Sequence, residues 1–331
     1  LKKAVVTGAS GFLGSYLCAD LLQNGYSVVA FSHIQEPLLF QKLSVKLNLP
    51  IKNIEWRKVD LSDPDEIGLA ISGKDVVFHC AAKISFENAD IAEMIESNVE
   101  CTRNVVNACL KAKVASLIFA SSVAALGRKS QNNQIDENCD WVEGAFNSPY
   151  AISKHLGELE IWRGMEEGLN VSIINPGIIL GAGDGTTGSN QIFSHLRSGN
   201  KFYPSGINGF VGVKDCATMM RLLYENEIFG QRMIAVSENI SYFSILSMAA
   251  KEMRVDPPKW ELKGLLFQFV YGVAVFCEKV HIPFPLPSAG IKSTSSENFY
   301  ISIHAGLKNL FSYTPIEKVI ADAVSELNSM G

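Results

Sequence analysis

A glycine-spaced turn directly after the first apolar run does most to limit what this chain can fold into. Residues 4–7 form a β-rich run, and Thr7-Gly8-Ala9-Ser10-Gly11-Phe12-Leu13-Gly14 leads from it into a helical stretch that ends at Asn24-Gly25. Glycine at such a turn permits close approach of the backbone to a bound group, and the helix behind it offers its N-terminal N–H groups to an anion. Five further β-rich runs alternate with helical stretches: residues 28–31, 54–59, 76–81, 117–122 and 171–175, the last closed by Pro176-Gly177. Continuous apolar strands alternating with helices predict a parallel sheet covered on both faces, a doubly wound α/β fold.

The expected organisation is a Rossmann sheet over residues 1–178, with 209–236 returning to it, and a smaller C-terminal substrate-binding lobe made mainly of 179–331. After Pro176 the pattern loosens. Residues 181–189 are rich in glycine and threonine and read as a loop over a site, while Pro257-Pro258 and the prolines of 283–287 mark irregular chain. The apolar residues Ile316, Val319, Ile320, Ala323, Val324 and Leu327 fall on one face of a final helix near 315–328. Residues 265–277 form the most apolar stretch. It is too short to span a bilayer and reads as a buried or lobe-covering helix, so no stable membrane insertion is expected.

Composition excludes several classes. With 47% hydrophobic and 19% charged residues, the 331-residue chain has an ordinary globular balance. A net charge of -5 without a basic run argues against nucleic acid as a partner. Seven cysteines, odd in number and never in a CxxC pair, fit reduced thiols in a cytoplasmic protein. No targeting segment is visible ahead of the first strand. The six histidines show no ligand-like spacing, and no metal is expected; His79, inside an apolar strand, reads as a hydrogen-bonded core residue.

Tyr150-Ala151-Ile152-Ser153-Lys154 carries the chemistry. A spacing of four puts the phenol and the ammonium on one helical face. A lysine close to a phenol favours the phenolate and lowers the tyrosine pKa, which makes Tyr150 a usable proton donor or acceptor near neutral pH. The glycine loop upstream implies what accompanies that proton: a hydride carried by a nicotinamide dinucleotide.

TGxxGxxG, followed by Ser121-Ser122 and YxxxK, resembles the short-chain dehydrogenase/reductase superfamily. Chain length and the stretch ahead of YxxxK resemble its extended branch, the NAD-dependent epimerase/dehydratase family, and within it the dihydroflavonol-reductase and 3β-hydroxysteroid-dehydrogenase group. The resemblance implies catalytic roles for Ser122, Tyr150 and Lys154. It implies cofactor contacts from Thr7, Gly8, Ser10, Gly11, Phe12, Leu13 and Gly14 in the loop, and from Asp60 and Leu61 at the adenine. It adds Ala81 and Ala82 in the H-x-A-A run, Tyr150 and Lys154, and Pro176, Gly177, Ile178 and Ile179 beside the nicotinamide. Asn98 resembles the helix asparagine of N-x-x-G-T. The resemblance also implies a homodimer, paired through helices around 92–111 and 150–165.

Ser32 and His33 stand where an acidic residue would accept from the adenosine ribose. With no carboxylate there to repel a 2′-phosphate, the cofactor expected is NADP, with NAD kept open because no arginine accompanies the serine; Lys42 is a candidate to reach in. The expected function is reversible hydride transfer between the nicotinamide and a carbonyl or alcohol of a small, apolar-bodied substrate, with Tyr150 as general acid/base. Ile84, Phe86, Phe202, Tyr203 and the 265–276 stretch are candidate pocket residues. One alternative is a sugar-nucleotide epimerase or dehydratase with tightly bound NAD. Three departures from the epimerase pattern count against it: Asn208 in place of an arginine, Ala125-Leu126-Gly127 in place of V-Y-G, and Asn175 in place of the arginine of R-P. A second alternative is a non-catalytic dinucleotide sensor, which the presence of all three catalytic residues disfavours.

Overall fold

The computed structural model describes residues 1–34, 37–83, 91–127, 134–144, 147–184, 191–279, 294–304 and 310–330. In chain order the first half comprises β1 (Lys3–Thr7), α1 (Phe12–Gln23), β2 (Ser27–Phe31), α2 (Leu38–Lys46), β3 (Ile54–Arg57), α3 (Pro64–Ile71), β4 (Val76–His79), α4 (Ile91–Ala112), β5 (Ser116–Ala120), β6 (Gln134–Ile135), α5 (Pro149–Glu166) and β7 (Asn170–Pro176). The second half comprises β8 (Ile178–Leu180), α6 (Gln191–Arg197), β9 (Phe202–Pro204), β10 (Ile207–Gly212), α7 (Val213–Glu225), β11 (Gln231–Ala235), β12 (Glu238–Ser241), α8 (Tyr242–Met253), β13 (Trp260–Leu262), α9 (Gly264–Lys279), β14 (Phe299–Tyr300) and α10 (Ile316–Met330).

Seven strands form one sheet in the order β11-β7-β5-β4-β1-β2-β3, and every pairing in it is parallel. Strands of a parallel sheet have no solvent face, which is why Ala4, Val5 and Val6 are all fully buried. One face packs against α1, α2 and α7, the other against α3, α4 and α5. The α/β reading of the sequence therefore holds, with shorter strands than expected: β3, β4 and β5 stop at Arg57, His79 and Ala120. Thr7 pairs with His79 and His79 with Phe119, and no partner continues the ladder beyond them. Asp60, Ala81 and Ser122 thus lie in the loops that leave the carboxyl edge, where open α/β sheets bind ligands.

Within 209–236, β10 joins a separate three-stranded sheet, β12-β10-β8, while α7 packs on α1 and β11 closes the main sheet beside β7. Asp20 of α1 fixes α7 through Arg221, 2.6 Å away, and Thr218, 3.1 Å away. The lobe core gathers Leu180, Phe193, Phe210, Tyr242 and Ile245 with Ile316, Val319, Ile320, Ala323 and Val324 of α10. Those five α10 residues belong to the apolar stripe expected from the sequence, and Leu327 packs at its margin.

α9 departs from expectation. Leu265, Phe269 and Phe276 are 84%, 70% and 62% exposed, so its apolar residues run all round the helix, and one side is uncovered by any described element. Helical periodicity alone does not say whether a neighbour arrives. Ile84, Phe86, residues 185–189, His281 and the prolines of 283–287 lie outside the described residues. Among the described residues no helix is long and apolar enough to cross a membrane.

α4 and α5 cross closely because α5 carries glycines where they meet. A Cβ on Gly164 would stand 2.7 Å from Val106 Cγ1 of α4, and one on Gly157 would stand 3.7 Å from Thr102 Oγ1 of α4 and 3.3 Å from Phe119 Cζ of β5. Val106 is β-branched and confined to essentially one rotamer in a helix, so it cannot swing aside. Gly164→Val is expected to destabilise the protein by about 1–3 kcal/mol. Urea denaturation checks this, and an unchanged midpoint would show that the two helices separate freely.

Candidate active site

The cradle begins at the end of β1. Gly8 has φ +64°, and a Cβ there would lie 2.7 Å from both Cα and N of Ala81. Glycine therefore lets the turn after β1 touch the loop after β4. Gly11 N–H donates to Gly8 O at 2.9 Å, and Ser15 N–H to Gly11 O at 2.9 Å, so the turn passes straight into α1. A Cβ on Gly14 would collide with Gly8 O and approach Ala9 Cα to 2.9 Å. α1 carries no side-chain cap at Gly11 and no acidic residue in its first turn. Its positive end is thus open to an anion, and the residues present fit the pyrophosphate of a dinucleotide.

The loop after β4 is held by hydrogen bonds. Ala81 N–H donates to Thr7 Oγ1 at 3.2 Å, and Thr7 Oγ1 meets His79 Nδ1 at 2.7 Å. His79 Nε2 lies 3.2 Å from Thr102 Oγ1, whose proton goes to Asn98 O. This pattern makes His79 a neutral relay with Nε2–H, and burial pushes its pKa down to about 3. The core reading of His79 is the one observed. Asn98 clasps Lys83, accepting from its N–H at 2.7 Å and donating to its O at 2.9 Å. Asn98 Nδ2 also reaches Ser153 Oγ at 3.3 Å, and Ser153 donates to Tyr150 O. Ala82 follows in the same loop.

Ser148 caps α5 by accepting from Ala151 N–H at 3.1 Å, and Pro149 occupies the first helical position. That start signal places Tyr150 in the first turn and Lys154 one turn further, on the same face. Ser122, just past β5, accepts from Ala124 N–H at 3.1 Å. It also hydrogen bonds with Tyr150. Lys154 Nζ donates to Ala120 O at 2.8 Å and stands 5.0 Å from the Phe119 ring centroid. Burial lowers the Lys154 pKa to about 8, opposed by the negative potential of Cys80 and Glu158.

One electrostatic expectation is corrected. The Tyr150 phenol lies above its ordinary value, because burial outweighs the opposing hydrogen bond from Ser122, and the lysine ammonium is turned to a carbonyl rather than to the phenol. The group stored here is a neutral phenol, a donor before it is an acceptor.

The remaining residues ring the same edge. Ser32 ends β2, and its hydroxyl is taken up locally, donating to Ile34 O at 2.6 Å and accepting from Ile34 N–H at 2.9 Å. It is therefore not a free donor; exposed His33 beside it faces Asp60 electrostatically. Asp60 accepts from the N–H and hydroxyl of Ser62, which hold its carboxyl below the usual range, and Leu61 O is held by Asn104. Pro176 ends β7. Gly177 passes Gly209 O too closely for any side chain, and Ile178 and Ile179 continue into β8. Of the candidate pocket aromatics, Phe202 packs edge-on to Trp260 and Tyr203 lies 4.7 Å from Phe243.

Three residues absent from the sequence reading as parts of the site's frame stand behind it: Glu158, Asn175 and Arg232. Glu158 is one further turn from Lys154 on α5. A carboxylate continuing the Tyr150–Lys154 face was the available signal, whereas its partners come from distant strands.

A doubly wound sheet whose first turn is a glycine cradle at a helix N-terminus defines a dinucleotide-binding α/β protein. The sequence profile of the NAD dependent epimerase/dehydratase family matches residues 4–234, more than half of the chain, and the chain belongs to that family. It is 29% identical to a putative dihydroflavonol 4-reductase of Synechocystis, over 98% of this chain and 94% of that protein. It is 31% identical to cinnamoyl-CoA reductase 1 of Petunia hybrida, over 85% of this chain and 93% of that protein. The crystal structure of gox2253 superposes with a TM-score of 0.81 at 28% identity, covering 100% and 99% of the two chains. Sugar-nucleotide epimerases also share the fold, at 18–20% identity, a likeness of fold alone.

Gly14→Ala is expected to weaken binding of the nicotinamide dinucleotide by at least about tenfold, or about 1.4 kcal/mol. Gly11→Ala, whose Cβ would come only to 3.2 Å from Gly8 O, should lose less. Calorimetric titration of both variants reads the difference, and equal affinities would remove the cradle assignment.

Proposed function

We propose that the chain is an NADPH-preferring reductase that delivers a hydride to the carbonyl of a flat, apolar-bodied substrate and protonates the resulting alkoxide from Tyr150. The observation that carries this reading is the meeting of Ser122, Tyr150 and Lys154 at the strand edge that also bears the glycine cradle. The bound dinucleotide supplies the hydride, from its nicotinamide to the carbonyl carbon. Ser122 turns its hydroxyl proton from Tyr150 to the developing oxyanion as a hydrogen bond. Tyr150, neutral because it is buried, gives its phenolic proton to that oxygen. Lys154, protonated at neutral pH, offsets the phenolate left behind. Residues 179–331 act mainly as the substrate lobe.

The two relatives, a putative dihydroflavonol 4-reductase and a cinnamoyl-CoA reductase, support a substrate with an aromatic body. Asn208 supports the same choice against a sugar nucleotide: it donates to Tyr242 Oη at 3.3 Å and accepts from Gly209 N–H at 2.9 Å, and it brings no charge for a diphosphate.

The test is NADPH consumption by the purified protein over a panel of aromatic ketones and aldehydes, with dihydroflavonols and cinnamoyl-CoA included. Tyr150→Phe is expected to lower kcat by about 10²–10⁴-fold while NADPH affinity stays within about twofold. Retained turnover would remove the proton-transfer role. Conversion of sugar nucleotides on retained NAD, without net NADPH consumption, would replace the reading with epimerisation.

NADPH preference rests on the absence of a carboxylate at Ser32. Ser32→Asp should move the preference toward NADH by about tenfold or more, since its charge repels the 2′-phosphate and accepts from the ribose hydroxyls. Comparison of the two dissociation constants decides it, and an unmoved ratio would place the discrimination elsewhere.

A further inference from the structure

We propose that Glu158 is a positioning residue for the reaction: held by Arg232, its carboxylate fixes the strand ends that present Ser122 and stands as a negative charge one helical turn behind Lys154. This inference rests on the roles proposed above for Ser122, Tyr150 and Lys154.

The geometry joins four elements at one buried carboxylate whose side chain is 1% exposed. Ser121, after β5, donates to Oε1 at 2.5 Å, and Asn175 Nδ2 of β7 donates to the same oxygen at 2.6 Å. Arg232 Nη1 of β11 donates to Oε2 at 3.3 Å. Burial raises the Glu158 pKa, and each contact opposes that as a donor, an arrangement that suits the ionised group. Asn175 Nδ2 uses its second proton on Ser122 O at 2.9 Å, so the amide that Glu158 orients grips the backbone of the residue meant to face the substrate. Arg232 spends its other donors on Glu137 O at 2.8 Å and Cys139 O at 3.0 Å, on the segment between β6 and α5. A buried carboxylate without such a counter-charge would be costly, and Arg232 arrives from β11 where the β7 position holds a neutral asparagine.

Three elements bring groups to Lys154. The loop end of β4 contributes Cys80 and neutral His79. β5 contributes Ala120 O and the Phe119 ring, and α5 contributes Tyr150 and Glu158. Arg232 acts on the Glu158 side of this set. Among these groups Glu158 is the carboxylate, and its field favours the charged amine, against the burial that disfavours it.

The experiment is the pH profile of kcat/KM for Glu158→Gln, with NADPH affinity and thermal stability measured alongside. In the natural protein the limb reporting loss of the Lys154 proton is expected near pH 8. In E158Q it should move down by about one unit, with cofactor affinity retained. Should E158Q not fold, the double variant E158Q/R232Q leaves neither charge unpaired and gives the same readout. Ser121→Ala, which removes a donor but no charge, should leave the limb in place. A limb unmoved in E158Q or the double variant, with only stability and rate reduced, would make Glu158 purely structural and overturn the inference. Tyr150→Phe in the same assay separates the two readings: if it stays active, the catalytic roles themselves fail.

Discussion

The contact between Gly8 and Ala81 is the constraint on which the site depends. β1 and β4 are neighbours in register, so the chain leaving each strand must pass the other immediately above the sheet. Only a residue without a Cβ lets both pass. With that passage open, Thr7 takes the Ala81 N–H, Asn98 takes up Lys83, and Ser153 connects the same asparagine to the first turn of α5. The cradle and the first turn of α5 are therefore held by one continuous set of hydrogen bonds, not by two independent loops.

The fold was legible because its signals are local. Alternating apolar runs and the glycine turn each act within a few residues, and the parallel sheet follows once they are laid end to end. Strand ends were read too long because β-rich composition continues past His79 and Ala120, while pairing stops when the neighbour leaves the sheet. The candidate site residues were legible as motifs, and the structure gathers them along one edge. Their electrostatics were not legible: spacing predicts that Lys154 lies near Tyr150, but burial decides which proton is held. The partnership of Glu158 with Arg232 spans 74 residues of sequence and was invisible to any windowed pattern.

The lobe shows the same division. Its α10 stripe was readable from helical periodicity, and five of the six residues expected on that face are buried, with Leu327 partly so. α9 was not readable, because an apolar helix carries no record of whether something packs on it. Its exposure and the polar environment of Asn208 are properties of arrangement, set by which elements the three small sheets bring together.

Tyr16 shows what this arrangement asks of the chain as it is made. Its phenol, on α1, donates to Ala182 O and to Glu326 Oε2 on α10, a partner 310 residues away. Glu326 in turn receives Lys46 and Lys214. A helix synthesised among the first thus buries a hydroxyl whose acceptors emerge much later. During translation the early strands and helices can pair in sequence, but the α1 face cannot be sealed until α10 is available. The nascent half must wait in an unfinished state, with that hydroxyl still wet.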